Sequence, residues 1–106
     1  MENDRIAILG AGESGVGAAL LASARGYMVW LSDNGAISPK YREEIEENEI
    51  SFEEGGHTRD RILKAGLIIK SPGISDEAPI VQEALAEGIE VISEIEFASR
   101  FTTKPI

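Results

Sequence analysis

A glycine-rich turn near the start of the chain, ILGAGESGVG, has the residue types that hold a phosphate group. In a strand–turn–helix of this kind, Gly10 permits the tight turn, Gly12 lets the backbone approach a phosphate, and Gly15 lets helix and strand pack closely. The free N–H groups of Glu13, Ser14 and Gly15 would point at an anion, reinforced by the helix dipole. The pattern predicts phosphate binding, and a turn that merely packs helix on strand is the alternative.

Two side chains in this turn have opposite relations to an anion. The Ser14 hydroxyl could add a donor, whereas the Glu13 carboxylate would repel a phosphate, so we expect the Glu13 side chain to point away. The ligand is therefore expected to be held by backbone amides more than by side chains.

A second candidate contact follows the next predicted strand. Asp33 stands 18 residues after Gly15, where an acidic residue hydrogen-bonds a ribose in dinucleotide-binding folds. Asn34 adds a side-chain amide and a backbone N–H at the same place. Asp-Asn-Gly is also ordinary turn chemistry, so a turn or cap residue stays open as the alternative for Asp33.

The third candidate contact is the tripeptide Ser71-Pro72-Gly73, which follows a predicted fourth strand. Pro72 fixes its own backbone and removes a donor, and Gly73 would allow the flat ring of a ligand to lie close. A plain turn is the alternative for this loop.

The sequence offers no catalytic centre. Its single histidine, His57, has no cysteine, serine or second histidine at a catalytic spacing, and we interpret it as a solvent-facing loop residue. No helix carries a paired carboxylate motif of metal or glycosidase type. We expect a binding domain with no catalytic residue and no metal site.

Composition restricts the class of protein. A chain of 106 residues with 42% hydrophobic and 27% charged residues fits one soluble globular domain. The absence of cysteine excludes disulfides and thiolate metal sites. No apolar run is long enough for a bilayer, and the first residues do not resemble a signal peptide, so we expect a cytoplasmic protein.

The net charge of −9 argues against binding to nucleic acid or to an anionic membrane surface. Much of this charge lies in residues 43–54, EEIEENEISFEE, which contain seven glutamates. We interpret that run as a solvated helix face and loop rather than a metal-binding patch.

Alternating apolar strands and helices must position these residues. Strands are predicted at residues 5–9, 28–31, 50–52, 67–70 and 89–92, and helices at 13–25, 39–48, 59–64, from 79 to before Gly88, and 94–101. Short crossovers between parallel strands place helices on both faces of one sheet. The predicted fold is α/β: a Rossmann-like, doubly wound sheet of about five parallel strands, whose ligand sits at the carboxyl ends of the strands.

Three segments in this order and spacing resemble the N-terminal domain of the Mur ligases: LGAGESG at residues 9–15, SPGI at 71–74 and GIEVISEIEF at 88–97. The resemblance covers essentially the whole chain, and the second and third segments are its specific part. It implies that residues 1–106 form a single UDP-binding domain.

The resemblance further implies a three-domain enzyme of peptidoglycan synthesis, with ATP and magnesium in a central domain and D-glutamate under a C-terminal domain. The substrate would be UDP-N-acetylmuramoyl-L-alanine, whose carboxylate is activated as an acyl phosphate before an amine attacks it. The loop Gly12, Glu13, Ser14 and Gly15 would face phosphates and sugar, Asp33 and Asn34 the uracil edge or ribose, and Ser71, Pro72 and Gly73 the uracil side. The chain stops near Lys104-Pro105-Ile106, before the family's ATP loop, so this piece alone is expected to be inactive.

Two other functions remain open at this stage. A nicotinamide-binding domain, from a dehydrogenase or an NAD-sensing module, would explain the glycine turn and Asp33 equally well, but not SPGI or SEIEFA. A ligand-free interaction domain with a working acidic face would explain the charge.

Overall fold

The computed structural model describes residues 4–101, which form one parallel sheet covered by helices. The strands are β1 (Arg5–Leu9), β2 (Met28–Asp33), β3 (Ser51–Glu54), β4 (Leu67–Lys70) and β5 (Glu90–Ser93). The helices are α1 (Glu13–Ala24), α2 (Pro39–Glu47), α3 (Arg59–Ile62), α4 (Pro79–Ala86) and α5 (Glu94–Ser99). The segment Lys104–Ile106, expected to lead toward an ATP loop, lies outside the described residues.

The strand order β3-β2-β1-β4-β5 places the first strand at the centre of the sheet, and all neighbours are parallel. The chain extends from β1 toward β3 and then crosses back to add β4 and β5 on the other side. The reversal lies between β1 and β4, where the loops that follow the two strands open a crevice for ligands. The predicted doubly wound fold is confirmed.

Alternate residues of β1 pack into opposite halves of the core, because successive side chains of a strand point to opposite faces. Ile6 and Ile8 pack with α1, α2 and α5, whereas Ala7 and Leu9 pack with α3 and α4. These four residues are at most 1% exposed. A continuous apolar run is therefore what this buried central strand requires.

The predicted helix ends agree with the structure where a glycine follows the end of the helix. Gly26 follows α1 with φ +91° and Gly88 follows α4 with φ +82°, a left-handed conformation that favours glycine at this position. Strand ends were predicted less well, since β2 continues through Ser32 and Asp33 and β3 through Glu54. Asp33 is therefore the last residue of a strand rather than part of the turn.

Candidate functional site

The strand register brings the candidate segments to one edge of the sheet. Leu9 is level with Ser32 on one side and Lys70 on the other, and Lys70 is level with Ser93. The chain therefore leaves the sheet at about the same height in each strand. The predicted phosphate turn, Asp33-Asn34 and Ser71-Pro72-Gly73 all lie at this carboxyl edge.

Two glycines of the turn are required by packing. A Cβ atom on Gly15 would lie 1.8 Å from the carbonyl oxygen of Gly10. Gly10 itself has φ +104°, and a Cβ there would lie 2.6 Å from the Cβ of Ser71. The predicted roles of Gly10 in the turn and of Gly15 in helix–strand packing are confirmed.

Gly12 has no such packing requirement. A Cβ on Gly12 would meet no described atom within 4 Å, and its φ of −83° is available to any residue. As the N-cap of α1 it offers no side-chain hydrogen bond to the first turn of that helix. Glu13 and Ser14 are exposed beside it, whereas Gly15 is buried. The N–H groups of the first turn of α1 have no acceptor within the helix. They lie at an open part of the carboxyl edge of the sheet.

Asp33 connects the turn to β2. Its Oδ2 accepts a hydrogen bond from the Ala11 N–H at 2.7 Å, and its Oδ1 accepts one from the Gly35 N–H at 2.8 Å. Gly10 is also tied to this strand, because its N–H donates to the Ser32 carbonyl at 2.8 Å. A carboxylate has about four acceptor positions, so Asp33 can hold the turn and still accept from a ligand. Asn34 follows it, exposed.

The Ser71-Pro72-Gly73 loop lies on the other side of the turn. The Ser71 N–H donates to the Leu9 carbonyl at 3.0 Å, and its own carbonyl accepts from Ile74 at 3.0 Å. Ser71 is half-buried, whereas Pro72 and Gly73 are exposed, and a Cβ on Gly73 would meet no described atom within 4 Å. The loop is thus anchored at Ser71 and presents the next two residues outward.

The interpretation of His57 as a solvent-facing loop residue is wrong. Its ring is half-buried, and its Nδ1 lies 2.5 Å from the hydroxyl oxygen of the fully buried Ser32. The same hydroxyl donates to Glu53 Oε2 at 2.8 Å. Since a hydroxyl carries one proton, Ser32 can donate to Glu53 while it accepts from a protonated Nδ1. This network braces the loop after β3 rather than forming a catalytic pair.

The two last residues of the acidic run are also not simply solvated. Glu53 accepts hydrogen bonds from Trp30 Nε1 at 3.1 Å and from the Thr58 N–H at 2.7 Å. Glu54 accepts from the Ile37 N–H at 2.7 Å and pairs with Arg42 at 2.9 Å. These strand-end carboxylates satisfy neighbouring loop donors, whereas the glutamates on α2 are exposed as expected.

Hydrogen bonding also changes the acidity of Glu53. Burial alone would raise the pKa of its carboxyl group, but donors from Thr58, Ser32 and Trp30 favour the charged form and together lower the pKa below its ordinary value. Glu53 is therefore held as a carboxylate by donors from two segments, β2 and the loop after β3.

Two cavities lie at opposite edges of the sheet. One of about 510 Å³ is at the amino ends of the strands, between Arg5, Met28, Trp30 and Ser51, and none of the predicted site residues lines it. A second of about 400 Å³ is at the carboxyl ends of β4 and β5 and includes Pro72. Ligands of doubly wound sheets bind at carboxyl ends, so the second cavity is the one beside the candidate site. Sequence reasoning missed its buried wall residue, Glu94.

Residues 4–101 contain neither a metal-binding cluster nor a membrane-spanning helix. Within that range, no group of three or more histidine, cysteine, aspartate or glutamate side chains is arranged to hold a metal ion. No helix in the same range is both long enough and apolar enough to cross a bilayer.

The known proteins that this chain resembles belong to one family. Residues 4–93 match the family model described as Mur ligase MurD-like, N-terminal domain. A UDP-N-acetylmuramoylalanine–D-glutamate ligase of Porphyromonas gingivalis is 60% identical over 97 residues, which are 92% of this chain and 22% of that protein. The ligase of the same name from Bacteroides thetaiotaomicron is 52% identical over 98 residues, again 92% of this chain and 22% of that protein.

A solved structure agrees with these sequence matches. The murein peptide ligase of Psychrobacter arcticus superimposes with a TM-score of 0.82 at 26% identity, over 92% of this chain and 20% of that one. The chain thus spans about a fifth of the length of the relatives it matches. None of these proteins supports the nicotinamide alternative.

Proposed function

Because this chain belongs to the Mur ligase family with a MurD-like N-terminal domain, we propose that it binds the UDP part of UDP-N-acetylmuramoyl-L-alanine. The proposed site is the carboxyl edge of the sheet. It comprises the residues of the turn, of the end of β2 and of the loop after β4: Gly12, Glu13, Ser14, Gly15, Asp33, Asn34, Ser71, Pro72 and Gly73.

The observation that carries this proposal is the contrast among the glycines of the turn. Gly10 and Gly15 are fixed by internal contacts, whereas Gly12 is a glycine at a position where a side chain would meet only open space. Packing does not explain why position 12 is a glycine, whereas a ligand lying close to the backbone there would explain it. The first-turn amides of α1 would donate to the diphosphate, which the helix dipole also favours.

Amide binding also suits the charge of the domain. The net charge of −9 would repel a nucleotide at long range, and Glu13 and Asp33 stand at the site itself. Backbone N–H groups attract an anion locally without needing a basic surface. In this proposal Asp33 acts at the uridine end as an acceptor, either for the uracil edge or for a ribose hydroxyl.

The whole protein is proposed to be an ATP-dependent ligase that joins D-glutamate to UDP-N-acetylmuramoyl-L-alanine during peptidoglycan synthesis in the cytoplasm, and so to serve cell shape and division. As the resemblance to the Mur ligases implies, we assign ATP and Mg²⁺ to a central domain and D-glutamate to a C-terminal domain. Residues 1–106 would then bind substrate without making product. Binding is expected to be weak where the other domains contribute no contacts.

Titration of the ¹⁵N-labelled chain with UDP tests the proposal by amide chemical shifts. UDP at millimolar concentration is expected to shift the amides of 12–15, 33–34 and 71 and 73, because these N–H groups lie at the binding edge. NAD is the matched competitor and is expected to cause smaller shifts there. Larger shifts with NAD than with UDP, or UDP shifts confined to other regions, would contradict the proposal.

A further inference from the structure

The cavity of about 510 Å³ lies at the amino ends of the strands, at the other end of the sheet from the proposed nucleotide site. Arg5 on β1 is level with Met28 on β2, and Trp30, two residues further along β2, is level with Ser51 on β3. Level residues of neighbouring parallel strands, and residues two apart on one strand, share a face of the sheet. These side chains therefore form one floor at this end of the sheet.

The helix α3 covers only part of this floor, because it consists of the four residues Arg59–Ile62. The guanidinium of Arg61 on this helix lies over the Trp30 ring, 3.9 Å from the ring centroid. The ring itself is fixed, since its Nε1–H donates to Glu53 at 3.1 Å. Met28, on the same face of β2, stays 63% exposed. The floor thus combines a fixed aromatic ring, a cation stacked on it and an uncovered apolar side chain.

The Arg61 guanidinium has hydrogen-bond donors without an acid to receive them. Arg59 pairs with Glu83 and Arg100 pairs with Glu90, whereas no carboxylate within residues 4–101 forms an ion pair with Arg61. A guanidinium that contacts a ring through its face keeps its five N–H groups in its own plane. These groups therefore point sideways from the stack, in the geometry that matches a carboxylate.

The charge of the cavity is opposite in sign to that of the chain. Arg5, Arg61 and Lys64 line it, and Glu49 is the one acid among the described residues that do so. The whole chain has 19 acidic and 10 basic residues. A cavity lined mainly by one sign of charge concentrates ligands of the other sign. An anion is therefore favoured here over a neutral ligand.

We propose that this cavity binds a small organic anion in which a carboxylate is conjugated to a planar apolar body. The carboxylate accepts a bidentate pair of hydrogen bonds from Arg61. Because such a pair is coplanar, the body of the ligand lies parallel to the Trp30 ring and covers the exposed Met28. The volume of about 510 Å³ is in the usual range for small-molecule sites. This site goes beyond the proposed nucleotide-binding function and shares no residue with it.

Amide chemical shifts of the ¹⁵N-labelled chain test the proposal, with 2-naphthoate as the probe. Trp30 is the only tryptophan of the chain, so its indole N–H gives a single resonance. We expect 2-naphthoate at millimolar concentration to shift this resonance and the amides of 28–30 and 61–65. Two control ligands divide the probe: 2-naphthamide has the ring without the charge, and acetate has the carboxylate without the ring. Each is expected to bind at least about tenfold more weakly, because one lacks the charge-assisted hydrogen bonds and the other lacks the apolar contact.

Two variants of Arg61 test the guanidinium itself. Arg61→Gln is expected to weaken 2-naphthoate binding about tenfold, the effect of one hydrogen bond to a charged group. Arg61→Lys is expected to lose a comparable amount, because an ammonium keeps the charge but cannot donate a planar pair. Arg59→Gln is the matched control, since it removes the same charge from α3 at a residue that pairs with Glu83 and does not line the cavity. It should keep the wild-type affinity.

Several results would overturn the inference. Equal affinities for 2-naphthoate and either control ligand, or wild-type affinity in Arg61→Gln or Arg61→Lys, would show that a planar carboxylate is not recognised. An equal loss in Arg59→Gln would show a general effect of charge. Absence of shifts with 2-naphthoate, or shifts confined to 12–15 and 71–73, would show that the anion does not bind in this cavity.

Competition with UDP separates this site from the proposed nucleotide site. Excess UDP is expected to leave the dissociation constant for 2-naphthoate unchanged, because the two sites are at opposite ends of the strands. Displacement of 2-naphthoate by UDP would overturn the inference. A chain that binds 2-naphthoate in this cavity but does not bind UDP would contradict the proposed function and leave the inference standing. The comparison of the three ligands in the wild type remains decisive if an Arg61 variant does not fold.

Discussion

Replacing Gly15 with alanine adds one methyl group at the most crowded point of the glycine turn. The new Cβ would lie 1.8 Å from the carbonyl oxygen of Gly10, and separations under 3.0 Å are essentially never observed. One of the two backbone segments would have to move by about 1.2 Å, and the obstacle is a peptide group rather than a flexible side chain. Gly10 in turn lies against Ser71, so the displacement would spread to the loop after β4.

The expected cost is about 3 kcal/mol, at the upper end of the range for overpacked sites. For a domain of this size that corresponds to a fall in melting temperature of roughly 12–24 °C. Gly17→Ala is the matched control, since it makes the same substitution two residues later in α1, where a Cβ meets no described atom within 4 Å. Alanine at that exposed helical position should stabilise the chain by about 0.5–1 kcal/mol.

Urea denaturation followed by far-UV circular dichroism measures both variants. Relative to the wild type, we expect the free energy of unfolding to fall in Gly15→Ala and to rise in Gly17→Ala. If the free energy of unfolding of Gly15→Ala lies within about 1 kcal/mol of the wild-type value, the close approach of residue 15 to the Gly10 carbonyl does not limit stability.

Two further predictions concern carboxylates at the same edge. Asp33→Ala leaves the part-buried Ala11 N–H without its acceptor, so we expect a loss of about 1–3 kcal/mol in urea denaturation and weaker UDP binding per folded molecule; unchanged UDP affinity would make Asp33 purely structural. For Glu53 the pKa is lower in the folded than in the unfolded chain, so its stabilising effect is present above the unfolded pKa and disappears as the pH falls through the folded one. The stability difference between wild type and Glu53→Gln, from urea midpoints, should therefore be constant near neutral pH and shrink below about pH 4.5, the ordinary value; a difference independent of pH would contradict this.

Local patterns were sufficient to predict the elements and the glycine contacts. The apolar run of β1 and the stops at Gly26 and Gly88 depend on neighbouring residues, so the sequence displays them directly. Gly15 was predicted because a tight strand-to-helix connection leaves little room for a side chain at that spacing. The convergence of three loops at one edge followed from the rule that parallel strands end together.

Long-range side-chain contacts could not be predicted in the same way. Ser32, Glu53 and His57 meet although Ser32 is more than 20 positions from its partners. No local pattern marks such a contact, so the sequence alone predicts a solvent-facing His57. Glu94 resembles any acid in the first turn of a helix, and only the packing of α5 against β4 and β5 shows that it is buried. The available signal was a polar residue directly after a strand, Ser71 after β4 and Glu94 after β5.

The central claim is that first-turn amides of α1 hold the diphosphate of a uridine nucleotide. A crystal of the chain with UDP tests this most directly. The account predicts a phosphate oxygen within hydrogen-bond distance of the N–H groups of Glu13, Ser14 or Gly15, with the uridine toward Asp33. UDP bound instead in the cavity between Arg5 and Trp30 at the amino ends of the strands would contradict it.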